Sequence, residues 1–323
     1  MSAGSPSLRA LAPAKINLGL FLGPTRESDG RHELVSVMQS ISLADELTLS
    51  PAPAGAGGDE VLCPGVSGAS GDNLAARALR SFREQSGWDG PPQRLEIVKR
   101  IPIAAGLAGG SADAAATLRL AGAASGLGDR ELLLRIAGEL GADVPAQVAP
   151  GRWLASGAGE RLTELAPPRT PFGVLILPAG FELSTGSVFA EADRLGLGRS
   201  EQELVELGEE LAGALAHGAP LPAAGDLLHN DLQRAAVSLR PEIAELLHEA
   251  REAGGDPVLV SGSGPTVLGL FARPGGRSAD GLALARVAAA SLAQSVPDAA
   301  CAVPVAAAYG EPEELTPEWP EDS

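Results

Sequence analysis

The chain has 323 residues, 45% of them hydrophobic and only 3% aromatic, with a formal net charge of −17. That length suits two ordinary domains or one large one, and the core must be built mainly from Ala, Leu, Val and Ile. The acidic balance argues against a nucleic acid or an anionic membrane as partner, and no apolar stretch is long enough to span a bilayer.

Two distant cysteines, Cys63 and Cys301, read as reduced thiols. Lys15 and Asn17 interrupt the early apolar run, so no secretory leader is read. A soluble cytoplasmic protein is expected, as a monomer or homodimer. Nearly every basic residue is arginine, and the only two lysines are Lys15 and Lys99. Lysine is a compact, flexible point charge, which singles out both positions.

From Lys15 the sequence alternates, with Ile16, Leu18, Leu20 and Leu22 on one face and Lys15, Asn17 and Gly19 on the other. This spacing predicts a strand with one buried and one polar face. Further strands are predicted over 34–43 and 46–49. Residues 51–71, rich in Gly, Ala and Pro, read as a loop. A helix follows over 73–86, then a strand over 94–101 ended by Pro102. Ser111 is the expected N-cap of a helix to Ser125, stopped by Gly126. Asp129 and Gly141 bracket another helix. Strands are predicted at 153–155 and 173–177, and helices at 187–195, 200–217 and 241–253. The stretch Val258–Phe271 reads as strand, tight turn, strand, and is followed by a helix over 279–295 and a last strand over 300–308. The tail 310–323, with six acidic residues and three prolines, is expected to be disordered. The order of elements is α+β without regular βαβ alternation. Pro167-Pro168 divides the chain into an N-terminal part, 1–168, and a C-terminal part, 169–309.

The segment Gly106-Leu107-Ala108-Gly109-Gly110-Ser111 joins a strand to a helix. Glycines let backbone amides face a ligand closely, and a helix N-terminus adds partial positive charge, so the segment suits a phosphate. It is neither a Walker loop nor the dinucleotide fingerprint. A purely structural turn remains the other reading. Asp143, set between Gly141 and Pro145, is either a helix cap or a carboxylate placed to accept a hydroxyl proton.

Three stretches together, Pro13–Leu18, Pro102–Ala116 and Ser261–Phe271, resemble the motifs of the GHMP small-molecule kinases, in the family's order and across most of the chain. The resemblance implies an N-terminal α/β domain with a ribosomal-protein-like sheet and a C-terminal ferredoxin-like domain, with the site in the cleft between them. It implies ATP and Mg²⁺ as cofactors. Segments 29–34, 72–74, 141–145, 159–160 and 230–232 resemble the branch that phosphorylates the 2-hydroxyl of a cytidine diphosphate-linked methylerythritol, a step toward isoprenoid precursors. Another small alcohol, of homoserine or mevalonate type, stays open, and so does a non-catalytic sensor, which would have no use for both Lys15 and Asp143.

By that resemblance Asp143 is the catalytic base and also touches substrate. Lys15 keeps it ionised and offsets charge on the phosphoryl group, in place of the ordinary reading as a solvated strand lysine. Lys99, Asn73 and the run Ala104, Ala105, Gly106, Leu107, Ala108, Gly109, Gly110, Ser111, Ala112 hold the nucleotide. Ser111 either ligates Mg²⁺ or only caps its helix. Asn17 hydrogen-bonds the substrate, His32 reads the cytosine edge and Phe189 stacks on that base. Arg31 stands where the family usually has an aromatic, and its guanidinium is expected to stack in that ring's place. Thr185 touches substrate, although Gly186 replaces a more usual Pro. Gln147 is polar where the family tends to be apolar. His217, His229 and His248 read as surface or structural.

Overall fold

A computed structural model describes residues 7–65, 73–222, 227–272 and 278–315. The chain begins with two long antiparallel strands, β1 (Leu8–Thr25) and β2 (His32–Pro51). The two strands predicted over 34–49 are therefore one. No Gly or Pro interrupts them, and a bulge absorbs the change of register: Pro13 faces Ala44, but Lys15 faces Ser40. The extra β2 residues Ile41, Ser42 and Leu43 turn away to meet the C-terminal segment, where Ile41 bridges Pro304 and Ser42 N–H donates to Val303 O at 2.8 Å. The Lys15 amide instead reaches Leu107 O at 3.1 Å, which ties β1 to the glycine loop.

Next come β3 (Glu60–Leu62), α1 (Leu74–Ser86), β4 (Gln93–Val98), α2 (Gly109–Ser125), α3 (Arg130–Leu140), α4 (Val144–Val148), β5 (Arg152–Ser156) and β6 (Arg161–Leu165). β3 lies inside the predicted 51–71 loop, parallel to β4. Asp72 and the end of that loop lie outside the described residues. Asn73 and Asp129 cap α1 and α3, each accepting a backbone N–H. α2 is buried on most sides: Ala112, Ala116 and Leu120 face the sheet, while Ala114, Ala115 and Leu118 face α1 and α3. Its alanine run lets the neighbouring layers approach closely.

The second half contributes β7 (Gly173–Leu177), α5 (Thr185–Leu195), α6 (Glu201–Ala214), α7 (Gln233–Leu239), α8 (Glu242–Glu252), β8 (Val258–Val260), β9 (Val267–Phe271), α9 (Ser278–Leu292), β10 (Ala300–Ala302) and β11 (Glu313–Glu314). Its sheet runs β10-β7-β9-β8, the antiparallel 4-1-3-2 order of a ferredoxin-like domain. The larger sheet runs β11-β1-β2-β4-β3, with β5 and β6 branching from β2.

Two expectations fail at the C-terminus. The last strand stops at Ala302, because Pro304 has no N–H to donate and the chain crosses to the β2 bulge. The start of the expected disordered tail is ordered: β11 pairs with β1, Leu315 N–H donates to Ser7 O at 2.9 Å, and Arg119 holds Gly310 O at 2.8 Å. Residues 316–323 lie outside the described residues. No helix among the described residues is long and apolar enough to cross a membrane.

Candidate active site

The two sheets leave between them a cavity of about 1300 Å³. The glycine loop forms one wall. Ala104 and Ala108 hold left-handed backbone at φ 53° and 55°, a conformation that costs alanine roughly 1–3 kcal/mol each and is typical of a loop shaped for a ligand. Ala108 starts α2, and the first intrahelical bond runs from Ala112 N to Ala108 O at 2.9 Å. The amides of Gly109, Gly110 and Ser111 therefore precede the helical ladder.

This start corrects the expectation for Ser111. It is the third residue of α2 rather than its cap, since Ala108 opens the helix three residues earlier than predicted. Ser111 and Ala112 are the two expected nucleotide residues that do not line the cavity, whereas Asn73, Lys99 and Ala104 to Gly110 all do. Among the described residues no group of three or more His, Cys, Asp or Glu is placed to hold an ion.

A second glycine turn closes against the first. Gly106 has φ +72°, and a Cβ there would lie 2.6 Å from Gly264 O and 2.9 Å from Ser261 O, so only glycine fits. Ser261 Oγ donates to Gly106 O at 3.3 Å. Asn230 fixes the turn from behind, its Nδ2 donating to Val260 O at 2.8 Å and Gly262 O at 2.7 Å.

Lys15 stands where the bulge brings β1 to this corner. It is 7% exposed, and its Nζ donates to Asn17 Oδ1 at 2.9 Å and lies 3.7 Å from Asp143 Oδ1. A residue of β1 and one just before α4, 128 positions apart, thus meet at the glycine loop. Asp143 precedes α4 but makes no capping hydrogen bond, so its carboxylate is left to Lys15 and the cavity.

Lys99 is placed differently from expectation. It lines the cavity, but its ammonium is held by Asp45 and by Asp113 Oδ2, the latter at 2.7 Å. Asp45 Oδ1 also accepts from Arg100 N at 2.6 Å and Ile101 N at 2.8 Å. Burial pushes the Asp113 carboxyl up to about 7 against the pull of Lys99, and its Oδ1 is buried with no partner. Burial also works against the Lys99 charge, but the two carboxylates outweigh it and raise its pKa. Sequence reasoning missed both acids; the one available signal was Asp113 alone among Ala112–Ala116.

Arg31, His32, Thr185 and Phe189 line the cavity as well, as does Asn17. The His32 and Phe189 rings stand 5.4 Å apart at 35°. His32 Nδ1 lies 3.1 Å from Gly23 O, which requires the proton on that nitrogen, and Nε2 lies 3.3 Å from Asp193. Arg31 is exposed, with its Nη2 donating to Ala158 O at 2.8 Å. Thr185 Oγ1 is 3.0 Å from Ser263 Oγ, linking the start of α5 to the second glycine turn. Gln147 is structural: 1% exposed, with Nε2 donating to Pro13 O at 3.2 Å. His229 pairs with Asp231 at 3.2 Å and stacks on Phe21.

Comparison with known proteins gives a consistent picture. A family model described as the GHMP kinases N terminal domain matches residues 73–151, and one described as GHMP kinases C terminal matches residues 210–290. The chain is 42% identical over 282 residues to a 4-diphosphocytidyl-2-C-methyl-D-erythritol kinase of Streptomyces coelicolor, covering 86% of this chain and 91% of that one. It is 41% identical to a protein of the same name from Nocardia farcinica, over 91% and 93% of the two chains. The crystal structure of a 4-(cytidine 5'-diphospho)-2C-methyl-D-erythritol kinase superposes with a TM-score of 0.73 at 33% identity, covering 92% of this chain and 98% of that one. A homoserine kinase from Cytophaga hutchinsonii shares the fold, with a TM-score of 0.68 at 16% identity over 98% and 99% of the chains.

Proposed function

The chain belongs to the GHMP kinases, and on that premise we propose that it transfers the γ-phosphoryl group of ATP to the 2-hydroxyl of 4-diphosphocytidyl-2-C-methyl-D-erythritol. The observation that carries the reading is the Lys15–Asp143 pair, 3.7 Å apart at the wall formed by the glycine loop. The relatives' shared name supports the acceptor, and the His32–Phe189 pair supports a planar base beside it.

The amides of Gly109 and Gly110 and the dipole of α2 hold the phosphates. Asp143 takes the proton of the acceptor hydroxyl as its oxygen bonds to the γ-phosphorus. The bond from that phosphorus to the β,γ-bridging oxygen breaks, and ADP leaves. In a loose transition state the proton moves late, so an ordinary carboxylate suffices as base if it is well placed. Lys15 offsets charge on the equatorial oxygens. Mg²⁺ accompanies ATP in this reading; among the described residues no group of three or more His, Cys, Asp or Glu is placed to hold it, and charge handling falls to Lys15 and the loop amides. Arg31 and Phe189 flank the cytosine, and His32 faces its edge.

The test is ADP release by purified protein with ATP and Mg²⁺ against several alcohols. Release with 4-diphosphocytidyl-2-C-methyl-D-erythritol and none with homoserine or mevalonate is the expected result. Turnover with either of those instead, or nucleotide binding with no turnover at all, defeats it.

A further inference from the structure

Ser36 lies on β2, is 1% exposed, and lines the cavity behind Asn17. Its Oγ is 2.7 Å from Gly19 O and 2.7 Å from Asn17 Nδ2. A carbonyl oxygen only accepts, so the single hydroxyl proton is committed to Gly19. The lone pairs of Oγ then face Asn17, and the amide atom opposite them must be the donor nitrogen. Because the amide is planar, its oxygen points the other way, to Lys15 Nζ at 2.9 Å. An ammonium only donates, so the assignment closes without conflict. Reversing the amide would set NH₂ against the ammonium and oxygen against a hydroxyl whose proton is already engaged.

The chain of roles runs in one direction, from Gly19 O through Ser36 and Asn17 to Lys15. One Lys15 N–H is spent on Asn17, and Asp143 attracts the ammonium from 3.7 Å. The remaining donor capacity faces the cavity, where a phosphoryl oxygen arrives. Lys15 has four rotatable bonds and would otherwise sample many positions.

We propose that Ser36 is a positioning residue for phosphoryl transfer: its hydroxyl locks the Asn17 amide so that the amide oxygen holds the Lys15 ammonium beside Asp143. This rests on the kinase reading above. Ser36 touches neither reactant and acts through Asn17. Removing the hydroxyl frees the amide to turn over, and the ammonium loses its anchor on β1. Turnover then falls while ATP binding, which depends on the loop amides, is retained. A displaced reacting group typically costs about 100-fold, so Ser36→Ala is expected to lower kcat by roughly 10- to 100-fold, with the KM for ATP within about twofold of the parent.

Two readouts separate this from a merely structural serine. The chain has only two lysines, so protein labelled with ¹⁵N-lysine gives two ammonium resonances, Lys15 and Lys99. Ser36→Ala is expected to shift or broaden the Lys15 resonance and leave Lys99 in place. Ser36→Thr, which restores the hydroxyl on a strand that tolerates β-branching, is expected to return the resonance and most of the turnover. In a Lys15→Met background, Ser36→Ala is expected to cost nothing further in single-turnover rate. An unmoved Lys15 resonance with parental kcat overturns the proposal. So does an equal loss with and without Lys15, or a loss that Ser36→Thr shares. Failure of the wild type itself to phosphorylate the cytidine diphosphate-linked acceptor would instead strike the kinase reading, and the lysine spectra would still report on the relay.

Discussion

Gly110→Ala separates what the glycine loop does for the fold from what it does for the ligand. Gly110 is an exposed residue in the first turn of α2 and lines the cavity, and a Cβ built on it meets no atom within 4 Å. Its backbone is helical, so alanine removes only the entropic penalty of glycine and stabilises the protein by up to ~1 kcal/mol. The same methyl enters the space through which a phosphate oxygen must reach the loop amides. A charge-assisted hydrogen bond is worth about 1.5–3 kcal/mol, so its loss weakens ATP binding about 10- to 100-fold. The expected variant is thus at least as stable as the parent and binds nucleotide worse, as read by thermal unfolding and calorimetric titration with a non-hydrolysable ATP analogue. Gly106→Ala is the contrast. Its left-handed φ and the 2.6 Å approach to Gly264 O make alanine costly to the fold, and stability and nucleotide affinity should fall together. If Gly110→Ala binds the analogue as tightly as the parent, the phosphates do not lie against this turn and the reasoning fails.

Asp143→Asn keeps the shape of the site but cannot take a proton, so kcat should drop about 10²–10⁴-fold with the affinity for ATP nearly unchanged; lost ATP binding would assign Asp143 to the nucleotide instead. Phe189→Ala should raise the KM for the cytidine-containing acceptor about 10- to 100-fold, the usual worth of one stacked base, and leave the KM for ATP alone; equal effects on both would remove the ring from the acceptor side. Burial raises the Asp113 carboxyl to about 7, so between about pH 4 and 7 the folded chain holds a proton that the unfolded chain has lost. Stability of the wild type therefore falls relative to Asp113→Asn as pH rises through that window, and parallel urea-unfolding curves at pH 5 and 8 would contradict it. Asp231 behaves oppositely. Burial disfavours its charge, but hydrogen bonds from Arg199, His229 and Leu22 N–H outweigh that and draw it down to about 2. Its stabilisation is present above about pH 4 and is lost as pH falls toward 2, a loss that Asp231→Asn should not show.

Much of the site was legible because its parts are local. The alternation after Pro13 placed Lys15 and Asn17 on one face of a strand, and the glycine spacing placed a tight loop before an alanine-rich helix. Gly126 and Gly141 ended their helices where expected, and Asn73 and Asp129 capped theirs. What the sequence hid depends on distant partners. β2 runs unbroken because its bulge is filled by residues some 260 positions further on, and no local signal marks that meeting. β1 is buried on both faces: Ile16, Leu18 and Phe21 join the core of the first sheet while Leu20 and Leu22 join that of the second half, and the segment at His229–Asn230 bridges its backbone, Leu20 N–H donating to His229 O at 2.8 Å. α2 starts at Ala108 through a left-handed alanine, a conformation that propensity disfavours, so Ser111 looked like the cap. Lys99 looked free for the nucleotide because neither Asp45 nor Asp113 is near it in sequence. Ser36 had no visible role until β1 and β2 were in register.

The reaction product is the most direct measure of what the Lys15–Asp143 corner does. Purified protein, ATP, Mg²⁺ and 4-diphosphocytidyl-2-C-methyl-D-erythritol are followed by ³¹P NMR. A new phosphomonoester on the oxygen of the methyl-bearing carbon should appear in step with ADP, and should be absent with Asp143→Asn. Inorganic phosphate in place of that ester, or an ester on a different hydroxyl, would contradict the geometry described for this cavity.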